Sequence, residues 1–195
     1  MEGPLTAEER QTVIRLARQA LEDAVHGRRL PTLDLSAVPE RLQRPAATFV
    51  TLTRQGALRG CIGGLEAEMP LAEDVRQHAV AAALDDYRFP PVRPDELPHL
   101  EIEISILTDP QPLSYASPED LIARLRPGVD GVILVSGLNR ATFLPQVWEK
   151  VPDPALFLSM LCEKAGLPSD SWRRGRVEVF TYQVESFHET EASRA

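Results

Sequence analysis

Cysteine is scarce in this sequence: Cys61 and Cys162 are the only two, 101 positions apart, with no CxxC and no histidine at ligand spacing beside either, which argues against a structural zinc site. Their spacing leaves a disulfide open. The four histidines, at 26, 78, 99 and 188, fall into no HxxxH, HxH or HExxH pattern, so a histidine-rich metal centre has no foundation, and no motif calls for a cofactor. Positive charge is also short. Lys and Arg number 21 against 29 Asp and Glu, a formal charge of -8, and the densest basic stretches are the pairs Arg28-Arg29 and Arg173-Arg174. Aromatic residues, 6% of the chain, are not interleaved with basic ones. Direct nucleic-acid binding is therefore disfavoured, because it draws on a concentrated basic face. No window approaches the roughly 18 consecutive apolar residues of a membrane span. The opening MEGPLTAEER is polar and acidic, unlike a leader, so the expected address is the cytoplasm, where unpaired thiols are ordinary, with no membrane association.

What is present suits a folded body. Hydrophobic residues make up 43% and charged residues 26% of 195 residues, enough for one domain or two small lobes. TAEERQTVIRLARQALEDAVHG reads as a helix, with Thr6 and Glu9 spaced as a capping box, an apolar stripe through Val13, Ala17 and Leu21, and Gly27 placed to end it. The proline-punctuated stretch 28–45 predicts an ordered loop. AATFVTLTRQGALRGCIGG predicts a hairpin turning at RQG, and PLAEDVRQHAVAAALDDY a helix begun at Pro70. EIEISILT alternates in the manner of a half-exposed strand, and a short helix follows over 117–126. GVILVS and RATFLP read as paired strands across GLN, DPALFLSMLCEKAG as the last long helix, RVEVFTYQVESF as a closing strand and ETEASRA as a frayed tail. The irregular alternation and frequent hairpins predict an α+β fold: a mixed, largely antiparallel sheet with flanking helices, in one continuous domain with room for two lobes and a core over about 6–188.

One stretch stands out for chemistry. In ALRGCIGG a lone thiol, Cys61, sits among Gly60, Gly63 and Gly64, with Arg59 two residues before it. In a regular strand residues 59 and 61 share a face, which would set a guanidinium near the thiol and favour the thiolate. The duller reading is a small buried residue, since free cysteine is among the most buried types. Glycines permit close approach of a ligand to bare backbone or simply a tight bend, and the run lacks both the GxxxxGK[ST] and GxGxxG phosphate patterns. Asp85, Asp86, Tyr87, Arg88 and Phe89 close the second helix. Two acids at the negative end of a helix dipole need compensation, which Arg88 or a bound cation would supply. His78 draws interest because its helix follows Cys61 directly.

The order FVTLTRQGALRGCIGG, AAALDDYRFPPVRPDEL, EISILTDP, GVDGVIL, ATFLPQVW, FLSMLCEKAG resembles the AMMECR domain family, protein A of the AmmeMemoRadiSam system, over about residues 10–188. The resemblance implies an α+β body with a curved sheet and two intertwined parts. It implies a functional site at LRGCIG, Leu58 to Gly63, with Asp85, Arg88, Phe89 and the ATFLP run of Ala141 to Pro145, including Thr142, as companions. Gly64 departs from the family, where a larger residue is frequent. The family carries no clearly assigned activity, but its gene context implies a modification pathway shared with a Memo-type, dioxygenase-like protein and a radical-SAM enzyme. Two roles follow. In one, a small polar or anionic ligand docks at Cys61, which is nucleophile, redox thiol or contact, with Arg59, Gly60, Gly63, Asp85, Arg88 and Thr142 around it. In the other, the domain is a non-enzymatic adaptor that presents a surface to those protein partners.

Overall fold

The computed structural model describes residues 3–175 and 177–189. In chain order it contains α1 (Ala7–Val25), β1 (Ala47–Arg54), β2 (Ala57–Gly63), α2 (Leu71–Leu84), β3 (Leu100–Leu107), β4 (Gln111–Pro112), α3 (Pro118–Arg124), β5 (Gly131–Ser136), β6 (Asn139–Phe143), α4 (Pro154–Lys164), β7 (Glu178–Tyr182) and β8 (Val184–His188), joined in places by single 3₁₀ turns. The fold is α+β. Its strands form two four-stranded sheets, ordered β2-β1-β3-β8 and β4-β7-β5-β6.

The chain divides into two compact units, one made of the sequence up to Leu107 and again from Glu185, the other of Thr108–Val184. In the first, α1 begins with the capping box the sequence spells out: Glu9 N–H donates to Thr6 Oγ1 at 3.2 Å and Thr6 N–H to the Glu9 carboxylate at 2.8 Å. Gly27, at φ +68°, stands just past its end in the left-handed region. The β1–β2 hairpin turns through Gln55 and Gly56, both left-handed at φ 52° and 77°, the primed geometry whose twist matches the strands. Along β1, Thr48, Val50 and Leu52 are fully buried on the side where α1 and α2 pack, with Ile102 and Ile104 of β3 beside them. Phe49, Thr51 and Thr53 point to the opposite, half-buried face together with Glu101 and Glu103. The alternation predicted for β3 holds as far as Ile104. Ser105 is then buried, because β3 is an interior strand and the Ser105 hydroxyl meets that of Ser186 on β8 at 3.1 Å.

In the second unit, β5 lies between β7 and β6, and Val132 and Leu134 are fully buried in a cluster with Phe157, Leu161 and Trp172. The Trp148 and Phe157 rings stack at 3.7 Å and 4°. The closing segment expected as one strand is two: β7 and β8 are interrupted at Gln183 and join different sheets. Thr108 and Gln183, at the two ends of the second unit, bond to each other through Thr108 N–H to Gln183 O and Gln183 N–H to Thr108 Oγ1, both 2.9 Å. The tail expectation for ETEASRA falls, beyond Glu189, outside the described residues.

Candidate functional site

β2 is an edge strand, and its sequence contains an irregularity that alternation alone conceals. Leu52 pairs with Gly60 and Thr53 with Leu58, so Arg59 is the extra residue of a β-bulge. The bulge sends Arg59 to Glu96, which it grips with Nε and Nη2 at 2.9 and 3.0 Å. Glu96 also accepts the Arg93 N–H at 2.9 Å. The Arg59 fork, backed by the Arg93 amide, holds the Glu96 carboxyl down at about 2 against its ordinary 4.5. Arg59 Nη1 is buried and has no hydrogen-bond partner among the described residues.

Gly60 faces the helix layer. A Cβ there would stand 2.1 Å from the Ala82 carbonyl oxygen, so the missing side chain is what lets α2 lie against the strand. At Gly63 a Cβ would meet Thr48 O at 2.3 Å and the Phe49 ring at 2.4 Å. None of Gly60, Gly63 and Gly64 has a positive φ. Gly64 N–H donates to Thr48 O at 3.0 Å.

Between those glycines, the main chain of Cys61 is clamped on its outer edge. Its N–H donates to Asp86 Oδ2 at 2.8 Å, and its carbonyl accepts from Arg88 Nη2 at 3.1 Å. Asp86 and Arg88 are themselves paired through Nε at 2.9 Å and Nη2 at 2.6 Å. Together they offer the edge strand one acceptor and one donor, as a further strand would, and so close a row that invites aggregation. The Asp86 side chain is 2% exposed. The Arg88 guanidinium, with the Cys61 and Arg88 amides, holds its carboxyl well below the carboxylate range despite burial, and Asp86 in turn raises Arg88 above its ordinary value. The Cys61 side chain points to the face shared with Thr51, whose hydroxyl donates to Sγ at 3.3 Å, and the residue is half-buried. Cys162 is buried in the second unit, and both thiols are free.

This chain has close relatives. The AMMECR1 family model matches residues 14–187. The chain belongs to the AMMECR1 family. A protein of Methanothermobacter thermautotrophicus is 40% identical over 96% of this chain and 97% of its own length. One of Thermofilum pendens is 41% identical over 96% and 93%. Among solved structures, the uncharacterized protein PH0010 from Pyrococcus horikoshii superposes with a TM-score of 0.85 at 35% identity, over 95% of this chain and 93% of that one.

Of the residues singled out in this AMMECR1 chain, Gly60, Cys61, Gly63 and Arg88 are drawn together by β2 and the segment after α2, whereas Arg59, expected beside the thiol, is turned by the bulge to Glu96. Asp85 is the C-cap of α2 and exposed; the neighbouring Asp86 is the acid that reaches the strand. Phe89 lies under the Arg88 guanidinium at 5.6 Å from the ring centroid. Thr142 belongs to the second unit, where its hydroxyl is bonded to Val132 O at 3.0 Å and to the Tyr182 hydroxyl at 2.8 Å. Asp86 and Glu96 are the residues of the candidate site that motif reading did not select. The compensation argument covered Asp85 and Asp86 alike; the acid that Arg88 pairs with is Asp86. Glu96 gave no local signal, because its partner is 37 residues away. Among the described residues no cluster of three His, Cys, Asp or Glu is poised for a metal, and no helix is long and apolar enough to cross a membrane.

Proposed function

We propose that this AMMECR1-family chain is a binding component that recognises a small polar or anionic group at the outer edge of β2, with Cys61 Sγ and the Arg88 guanidinium as the contacting groups. The observation that carries this reading is the clamp: Asp86 and Arg88 pin both main-chain polar atoms of Cys61, and leave the thiol half-buried on a fixed backbone beside a guanidinium whose side chain is 43% exposed. A preorganised cation next to a soft donor suits a carboxylate or phosphoryl group. The proposed setting is a cytoplasmic modification pathway shared with a Memo-type protein and a radical-SAM enzyme. The chain acts there as one domain, a view supported by a family match that spans both units. The test follows iodoacetamide labelling of Cys61 by mass spectrometry in acetate, phosphate and pyrophosphate, with buried Cys162 as internal control. Protection of Cys61 by at least one anion in the parent, and by none in Arg88→Leu, supports the reading. Equal labelling in all three anions overturns it.

A second reading, the adaptor, draws on Tyr87, 94% exposed although the residues on both sides of it are anchored to Cys61, and on Leu58, 45% exposed on the same strand. An aromatic ring on a rigid mount is the usual form of an interface anchor. The adaptor reading predicts that the Memo-type or radical-SAM protein co-purifies with the parent chain and is lost from the Tyr87→Ser, Leu58→Ser double variant. Retention of the partner by that variant counts against it.

A further inference from the structure

His78 lies on α2 one turn after Asp74, and its Nδ1 stands 3.1 Å from both Thr48 Oγ1 and Asp74 Oδ2. Thr48 is on the helix-facing side of β1, so this group sits across the sheet from the face that carries Thr51 and Cys61. Thr48 Oγ1 donates its own proton to Asp74 Oδ2 over 2.5 Å, which leaves only lone pairs to offer the imidazole. An ionised Asp74 likewise only accepts. Nδ1 therefore carries a proton in the neutral ring as well as in the charged one, and the lone pair of the neutral ring is at Nε2.

The three residues differ in their access to solvent. Thr48 is 0% and Asp74 4% exposed, whereas the His78 side chain keeps 20%. Nε2 has no hydrogen-bond partner among the described residues. Gly64 lies against that edge of the ring: a Cβ there would meet only His78 Cε1 and Nε2, at 3.8 and 4.0 Å. As glycine, residue 64 puts no side chain over the nitrogen. A histidine that merely tied α2 to β1 would need the Nδ1 contacts alone. The combination of a buried carboxylate behind the ring, a fixed tautomer and an Nε2 without a partner among the described residues, on a side chain that keeps 20% exposure, is the arrangement that general-base catalysis uses.

We propose that Asp74 and His78 form a general-base pair that takes a proton from a small ligand with an acidic O–H, admitted beside Gly64. The proton passes from the ligand oxygen to Nε2, and the electron pair of the O–H bond stays on that oxygen. The imidazolium so formed keeps its Nδ1–H on Asp74, whose carboxylate offsets the new charge. The inference uses neither Cys61 nor Arg88, and its side chains lie on the opposite face of the sheet from the thiol.

The experiment is site-resolved carbethoxylation of the folded full-length chain with diethyl pyrocarbonate, followed by peptide mass spectrometry; the reagent attacks through an imidazole lone pair. The expected result is that His78 reacts at least as fast as the exposed His26 and His99, and that Asp74→Asn slows His78 roughly tenfold while His26 and His99 keep their rates. Thr48→Ser, which retains the hydroxyl, leaves the His78 rate within about twofold. Should Asp74→Asn disturb the fold, visible as altered rates at all histidines, ¹⁵N imidazole shifts of the parent decide instead: a protonated Nδ1 and an unprotonated Nε2 in neutral His78 are required. His78 slower than His26, or the opposite tautomer, overturns the proposal.

Discussion

A methyl group added at residue 60 would have to share space with the Ala82 carbonyl, 2.1 Å away, and that oxygen belongs to helix backbone. Neither partner yields without moving α2 off β2, so Gly60→Ala is expected to lower stability by about 2–4 kcal/mol in urea unfolding. Gly64→Ala is the contrast. Its new methyl makes only van der Waals contact with His78 and its φ is not positive, so the loss of chain entropy in the unfolded state leads, and stability is unchanged or rises by up to about 1 kcal/mol. Equal penalties at the two sites would contradict this division of the glycine run into one packing position and one open position. Glu96 makes a separate prediction about pH. Its folded carboxyl titrates near 2 and its unfolded one near 4.5, so between those values the unfolded chain holds a proton that the folded chain lacks. Stability accordingly rises with pH through that window, is fully present above it, and is lost as pH falls through about 2. Denaturant midpoints taken from pH 5 down to pH 2.5 should fall more steeply for the parent than for Glu96→Gln, by on the order of 2 kcal/mol across the range. Parallel curves would remove Glu96 as an acid-labile tie.

At the scale of elements, β2 relies on side chains from outside its own sheet. Its inner edge is paired with β1, while the outer N–H and C=O of Cys61 rest on Asp86 and Arg88. Replacing Asp86 by Asn keeps the shape and removes the charge, so Arg88 loses its ion pair and Cys61 its charge-assisted acceptor; the cost should be about 3 kcal/mol. Native-state hydrogen exchange checks the location: the Cys61 amide should exchange at least tenfold faster in Asp86→Asn, relative to the change at Val50 of the interior strand β1. Unchanged protection at Cys61 would mean that the clamp does not hold the edge. Legibility in the sequence divides along the same line. The α1 cap, the hairpin turn and the start of α4 at Asp153 and Pro154 are local, each fixed by residues within four of one another, and could be read directly. The bulge at Arg59 could not, since period-two reasoning keeps residues 59 and 61 on one face until an extra residue breaks the count, and the cause of the break, Glu96, is remote in sequence. The choice of Asp86 over Asp85 was half legible: the need for compensation could be read from the helix end, but which acid turns inward depends on where β2 passes.

For the whole molecule, the interruption at Gln183 has the largest consequence. A segment that reads as one strand is divided between two sheets, so the second unit is contiguous in sequence while the first is assembled from both ends of the chain. The second unit has its own apolar cluster, built on Val132, Leu134, Phe157, Leu161 and Trp172, and its two ends are already bonded to each other at Thr108 and Gln183. Loop closure across its termini is therefore supplied by the unit itself, and an excised 108–184 chain should fold alone. Both tryptophans of the protein, Trp148 and Trp172, lie inside it at 3% and 1% exposure, which makes fluorescence a reporter of this unit and of no other. The fragment is expected to emit as buried indole and to lose that emission in a single cooperative urea transition. Emission of exposed indole without urea, or a transition with no sigmoidal shape, would show that the second unit borrows its stability from the rest of the chain. The first unit should behave in the opposite way: truncation before Glu185 removes nearly all of β8 and with it Phe187, 1% exposed in the same cluster as Val50, Ile102 and Ile104, and should cost the first unit its cooperative transition by circular dichroism while the tryptophan-reported transition of the second unit stays.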